Sequence, residues 1–138
     1  MNSARLLAAM AAAFVWTFLT DFLIHGLWLA PDYRATAEVW RPEVAMQARF
    51  IYMVLGHVLM GVVFAVLWAK SIWRGPLAGA VFGFWMGAFQ HVVVVFTYVA
   101  VPVRGDIAAK WIAAGMLQAV VLGVLVALIY HKRGLARA

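Results

Sequence analysis

The chain contains no cysteine, and only five of its 138 residues are acidic. The first absence excludes disulfides, thiol nucleophiles and thiolate metal sites. Basic residues are also few, so charged residues make up 12% of the chain, where a soluble domain has about a quarter. Serine occurs only at Ser3 and Ser71, neither placed beside a base that would activate it. There is no HExxH-type metal motif, and the glycines have helical spacing rather than that of a phosphate-binding loop. The case for an enzyme is therefore thin, resting on acid–base catalysis by Asp21 with a histidine.

What the chain has instead is apolar length. Hydrophobic residues make up 67% of it, and the mean hydropathy is +0.96. Four uninterrupted segments, about 6–30, 49–69, 76–101 and 108–130, reach the roughly 20 residues that a membrane span needs. Arg5 followed by alanines has the look of a signal peptide, but the apolar run outlasts a signal core and reads as a retained span. Long continuous runs favour helices over strands, so the expected fold is all-α: a single domain, 1–138, forming a four-helix transmembrane bundle. The short links at 70–75 and 102–107 predict antiparallel neighbours. The first link, PDYRATAEVWRPEVAMQA, predicts a short interfacial helix, with Tyr33, Val39 and Trp40 at headgroup level and Arg34, Glu38 and Arg41 facing water.

Charge gives the expected setting. Arg5, Lys70, Arg74, Lys132, Arg133 and Arg137 fall on one side, and Arg34, Arg41, Arg49, Arg104 and Lys110 on the other. The small excess puts the termini in the cytoplasm and the chain in the cell (inner) membrane. The net charge of +6 fits anionic headgroups, and no basic cluster is dense enough to make nucleic acid a partner. The expected partners are the lipid bilayer and other transmembrane helices, in a homo-oligomer or a larger complex.

Small residues recur every four positions. Gly75, Gly79, Gly83 and Gly87 do so in the third span, and Gly115, Ala119, Gly123 and Ala127 in the fourth. Such rows share a helix face and let backbones approach closely in lipid. His57, Gly61 and Ala65 continue the theme in the second span, as do Ala13, Thr17, Asp21 and His25 in the first.

The polar residues inside these spans lie at similar depths. Counting about 1.5 Å per residue from the non-cytoplasmic ends puts Asp21, Gln90, His91 and Gln118 about 15 Å in and His57 about 12 Å, with His25 shallower at about 8 Å. An ionisable group at such depth costs ~2.5–3.5 kcal/mol and is usually paired. Asp21 is expected to pair with His25, His57 or His91. A layer of this kind, with Tyr52 and Tyr98 as further hydrogen-bonding groups, can bind protons or a small polar solute, and a dead-end cavity would suit a quinone headgroup. It can also hold a transition metal on His25, His57, His91 and Asp21, or haem b between His57 and His91, although no ligand spacing within one helix favours either cofactor. Equally, a satisfied Asp–His–Gln network can fix a bundle in register without a ligand. His131, beside Lys132 and Arg133, belongs at headgroup level, and Asp106 with Lys110 forms a structural i,i+4 pair.

The stretch Gly26–Trp40, GLWLAPDYRATAEVW, together with the glycine-rich third span and Lys110–Trp111 opening the fourth, resembles small bacterial four-helix membrane proteins. Their first helix ends in a Gly-x-Leu-Trp-Tyr-x-Pro pattern, where this chain has Leu29 in place of the tyrosine. The resemblance implies the four-helix membrane fold and brings no activity or cofactor. From the sequence, then, the chain is expected to be a structural, accessory or oligomerising membrane component, with a binding or transport protein as the alternative.

Overall fold

A computed structural model describes residues 2–131; Lys132, Arg133 and Arg137, counted above for orientation, lie outside the described residues. The fold is all-helical, with 86% of residues in helices and no strand among those described. Helix α1 (Ser3–Asp21) continues directly into a π-helix (Phe22–Trp28). The first connection holds α2 (Ala30–Ala35), a 3₁₀ turn (Ala37–Val39) and α3 (Glu43–Gln47). Three long helices follow: α4 (Phe50–Lys70), α5 (Gly75–Ala100) and α6 (Gly105–Ile129). Ser3–Trp28, α4, α5 and α6 are each long and apolar enough to cross a membrane.

Local chemistry sets the boundaries. The Asn2 side chain accepts the Arg5 backbone N–H at 3.0 Å and caps α1. Pro31 lacks the N–H that would carry the hydrogen-bond ladder of the first long helix onward, and it sits instead in the first turn of α2, where no such donor is needed. The short interfacial helix expected in the first connection is divided into three pieces. Thr36 leaves helical geometry after α2, and Pro42 starts α3 with extended backbone before it.

The packing order meets the antiparallel-neighbour expectation across the 102–107 link and departs from it across the 70–75 link. α5 and α6 share the longest seam, and α1 lies between α4 and α6. The backbones of α4 and α5 scarcely meet. They touch through Phe64, Trp68 and Trp73 around the Phe82 ring, at the end of the bundle that carries the termini. The cause is where the small residues are used. A Cβ at Gly61 would lie 3.0 Å from Phe14 N and 3.1 Å from Met10 O, so α4 is pressed on α1. A Cβ at Gly83 would overlap the Ala119 carbonyl, and those at Gly79 and Gly123 would each overlap the other residue's carbonyl, so the α5 row is pressed on α6. Gly87 faces the Ala119 methyl. Gly75 does not belong to this seam: nothing lies within 4 Å of its Cβ position, and its φ of +82° is what calls for glycine.

One apolar core joins α1, α4 and α6 at the terminal end. It contains Leu6, Ala9, Ala13, Phe64, Ala65, Trp68, Leu122, Val126 and Ala127, closed by Tyr130. Trp68, 1% exposed, donates its indole N–H to the Tyr130 carbonyl at 3.3 Å. Outward faces stay apolar, with Phe89 80% and Val99 82% exposed on α5. The opposite, distal end of the bundle carries the first connection and the polar residues.

Candidate functional site

Asp21 ends α1 at the point where the π-helix begins, and its two carboxylate oxygens reach two other helices. Oδ2 lies 2.8 Å from His57 Nε2 of α4, and Oδ1 accepts from Gln118 Nε2 of α6 at 2.7 Å. The Gln118 amide also donates to Thr20 Oγ1 at 2.6 Å and to the Thr17 carbonyl at 3.3 Å. His57 is 6% exposed, and its Nδ1 lies 2.7 Å from the Met53 carbonyl. Both ring nitrogens of His57 therefore face acceptor oxygens. Donor counting requires a proton on each contact. Either His57 is an imidazolium beside a carboxylate, or Asp21 holds the proton and gives it to a neutral ring. The pair is electrically neutral in both forms and carries one transferable proton.

Beside this pair lies a cleft of about 310 Å³, lined by polar groups from the first helix, α5 and α6: Asp21, His25, Gln90, His91 and Gln118. Met60 of α4 forms the remaining side and takes a 3.7 Å contact from the Gln90 amide. His91 Nδ1 lies 2.8 Å from the Gly87 carbonyl, to which it donates, so the neutral tautomer with this bond has Nε2 as an acceptor. Gly115 makes room for that ring, because a Cβ at this position would overlap it. In this part of the seam the fourfold glycine row serves the cleft rather than the approach of two backbones.

The wall between cleft and surface is aromatic. Trp111 Nε1 donates to the Tyr33 hydroxyl at 2.7 Å, and that hydroxyl lies 2.5 Å from His25 Nδ1. Trp111 occupies one lone pair of the hydroxyl, and the His25 contact is met by either tautomer, with Nδ1 accepting the phenol proton or donating to the second lone pair. The His25 and Tyr33 rings stack, 8° from parallel. Burial pushes the Tyr33 phenol above its ordinary value; the Trp111 hydrogen bond opposes that rise, and the charges of Asp32 and Asp21 add to it. Lys110 Nζ bonds Asp32 at 2.7 Å and lies only 4.0 Å from Asp106, so its main partner is 78 residues away rather than one turn. Asp106 pairs more closely with Arg104, at 2.6 Å, and keeps the expected i,i+4 pair with Lys110 as the longer contact.

Sequence reasoning missed this wall and the π-helix under it. Tyr33 read as a headgroup-level residue and Trp111 only as part of the motif opening the fourth span, and their encounter depends on how the 30–49 connection folds over α6. A signal for the π turn was present in Asp21 and His25 so close to Pro31, since π turns recur where helices carry sites. Thr20, the residue before Asp21, was legible as a further polar partner for Gln118 and was overlooked, and Thr17 was read only as part of the small-residue row.

Two of the expected groups lie elsewhere. Tyr52 is 71% exposed at the start of α4, and Tyr98 faces Gly105 in a separate apolar recess with Ala108 and Ile112. His131 is exposed, and its carbonyl accepts from Arg5 at 3.3 Å. Axial ligation of haem by His57 and His91 does not fit, because both His57 nitrogens are engaged and the residue does not line the cleft. Nor do three metal-ligating His, Asp or Glu side chains converge among the described residues. No family model, curated protein or solved structure matches the chain, so the likeness to small bacterial membrane proteins rests on the quoted motifs alone.

Proposed function

We propose that this is a multi-pass protein of the cell membrane, with cytoplasmic termini, that binds a small uncharged polar ligand in the distal cleft. The single observation carrying the reading is that Asp21, His25, Gln90, His91 and Gln118 face one open volume of about 310 Å³ instead of closing completely on each other. That volume is at the small end of the roughly 300–1,000 Å³ typical of small-molecule sites. The Asp21–His57 pair is neutral as a unit, so the cleft presents no net charge to a ligand. It offers an acceptor at His91 and amide groups at Gln90 and Gln118. A polar ring with both donor and acceptor edges suits it, either as a free solute or as the headgroup of an amphiphile such as a quinol.

The absence of cysteine provides the test. Gln90→Cys should react with a small membrane-impermeant thiol reagent added from the non-cytoplasmic side. Ala119→Cys, held in the α5–α6 seam, should not. A Gln90→Cys protein that folds and stays unreactive from both sides would overturn the binding reading. A short-tailed quinone that slows the labelling would identify the headgroup class.

The sparse contact between α4 and α5 supports a second reading, in which the chain is a component of an oligomer or larger complex. A partner helix seated in that opening would cover Gln90, so labelling would appear in the isolated chain and disappear in the assembly.

A further inference from the structure

A second cleft, of about 510 Å³, lies on the other side of Trp111, roofed by the 30–49 connection. Its walls are mostly apolar: Tyr33, Ala37, Trp40, Pro42, Met46 and Trp111. The walls are held in place. The Trp40 indole donates to Thr36 Oγ1 at 2.9 Å, and its ring sits 5.2 Å from Tyr33 and 5.9 Å from Trp111, centroid to centroid. Three charges border the apolar volume: Arg34, Arg41 and Glu43. Among the described residues, neither guanidinium lies within 4 Å of a carboxylate; Glu43 instead accepts from Gln47 at 3.1 Å. The cleft thus combines an apolar body with two unspent guanidinium groups and a net charge of +1.

Its position selects among anions. The cleft lies where α6 begins and the first long helix has just ended, against the ring pair Trp40 and Trp111, the level at which aromatic side chains meet headgroups. Val44 and Met46 of α3, 79% and 49% exposed, turn apolar side chains outward beside it. A free phosphate would satisfy the arginines and leave the apolar volume unused. A phospholipid uses both. We propose that this cleft holds one anionic phospholipid, its phosphate on Arg34 and Arg41 and part of an acyl chain against Trp40, Trp111 and Met46. A headgroup of net charge −1 matches the cleft's net +1, whereas a zwitterionic lipid leaves that charge uncompensated.

The test uses the whole chain in neutral detergent micelles at low salt. Phosphatidylglycerol and phosphatidylcholine, each with brominated acyl chains, are titrated against tryptophan fluorescence. Brominated phosphatidylglycerol should quench at lower concentration, by about fivefold for each arginine it engages. The Arg34→Gln/Arg41→Gln double variant should lose that preference while keeping its helical circular dichroism. Arg104→Gln, outside the cleft, should keep it. Equal titration by the two lipids would overturn the proposal, as would a preference that survives in the folded double variant. Displacement by inorganic phosphate as effective as displacement by unbrominated phosphatidylglycerol would overturn the lipid assignment in favour of a soluble anion. If the double variant fails to fold, raising the salt serves in its place: the preference should shrink, and one indifferent to salt would overturn the proposal.

Discussion

The two ends of this bundle are built on opposite terms. At the terminal end α1, α4 and α6 close on an apolar core in which Ala9, Ala13, Ala65 and Val126 are fully buried. At the distal end the same helices carry Asp21, His57 and Gln118, and a cleft stays open beside them. The terminal end shows what small residues accomplish when they meet other small residues, which is backbone contact without a gap. The distal end shows the effect of one small residue opposite a large one: Gly115 meets His91, and the space goes to an imidazole and a ligand-sized volume. Packing alone would have closed both ends.

The comparison breaks most severely in the α5–α6 seam. Gly83→Leu forces a branched side chain into the Ala119 backbone and should cost about 3 kcal/mol or more, read as unfolding in SDS or by heat. Gly56→Ala is the matched control. Nothing lies within 4 Å of a Cβ there, so it should cost nothing and, inside α4, stabilise by up to about 1 kcal/mol. Similar losses for both variants would mean that the seam is not held by backbone contact.

At the distal end the expected losses are smaller and depend on hydrogen-bonding capacity rather than volume. Asp21→Leu removes the acceptor facing the buried His57 Nε2 and should destabilise by about 2 kcal/mol, while Gln118 keeps Thr20 as a partner. Asp21→Asn should cost less than about 1 kcal/mol, because its amide donates to a neutral His57 and its carbonyl still accepts from Gln118. Nitrogen NMR of His57 should then show a neutral ring with the proton on Nδ1. An imidazolium that persists in Asp21→Asn would refute the shared proton.

Much of this contrast could be read from the chain, and the part that could not has a definite reason. Apolar length foretold the four long helices, because span length and hydropathy are local properties. Depth counting placed Asp21, His57, His91 and Gln118 near one level, because each helix has a fixed rise. It could not show which histidine Asp21 would meet. That depends on α1 lying against α4, which follows from Gly61 pressing on Met10 and Phe14. It also could not foresee Tyr33 reaching His25, since that contact requires the folded path of the whole first connection. Rotation about helix axes and loop trajectories are long-range outcomes, and fourfold spacing leaves both open.

A weaker test concerns the tether between the first connection and α6. Lys110→Met removes the partner of Asp32, in a pair whose side chains are 34% and 20% exposed, and should cost about 1 kcal/mol or less. Its clearer signature should be faster hydrogen exchange over residues 30–40 with α5 and the terminal core unchanged. Arg104→Ala, which breaks an ion pair exposed on both sides, should leave exchange and stability where they were. Faster exchange across the whole molecule in Lys110→Met would show that the distal end is not an independently opening region.

The smallest effect is also the most local. Burial raises the Tyr33 phenol above its ordinary value of about 10. A phenol whose folded value is raised stays protonated in the fold at a pH where the unfolded chain has begun to lose its proton. The folded state then holds more protons, so stability falls as pH rises beyond about 10, and the contribution is fully present below that point. Phenolate absorbance should therefore show a late-ionising component, and Tyr33→Phe should remove it. The same substitution deletes the hydroxyl that accepts from Trp111 and bonds His25, so the aromatic wall should loosen while the α5–α6 seam stays intact. A Tyr33→Phe titration that loses an ordinary component and keeps the late one would mean that the phenol is already in water and the wall is open. The distal end would then differ from the terminal end only in its polarity, and no longer in having a closed outer wall.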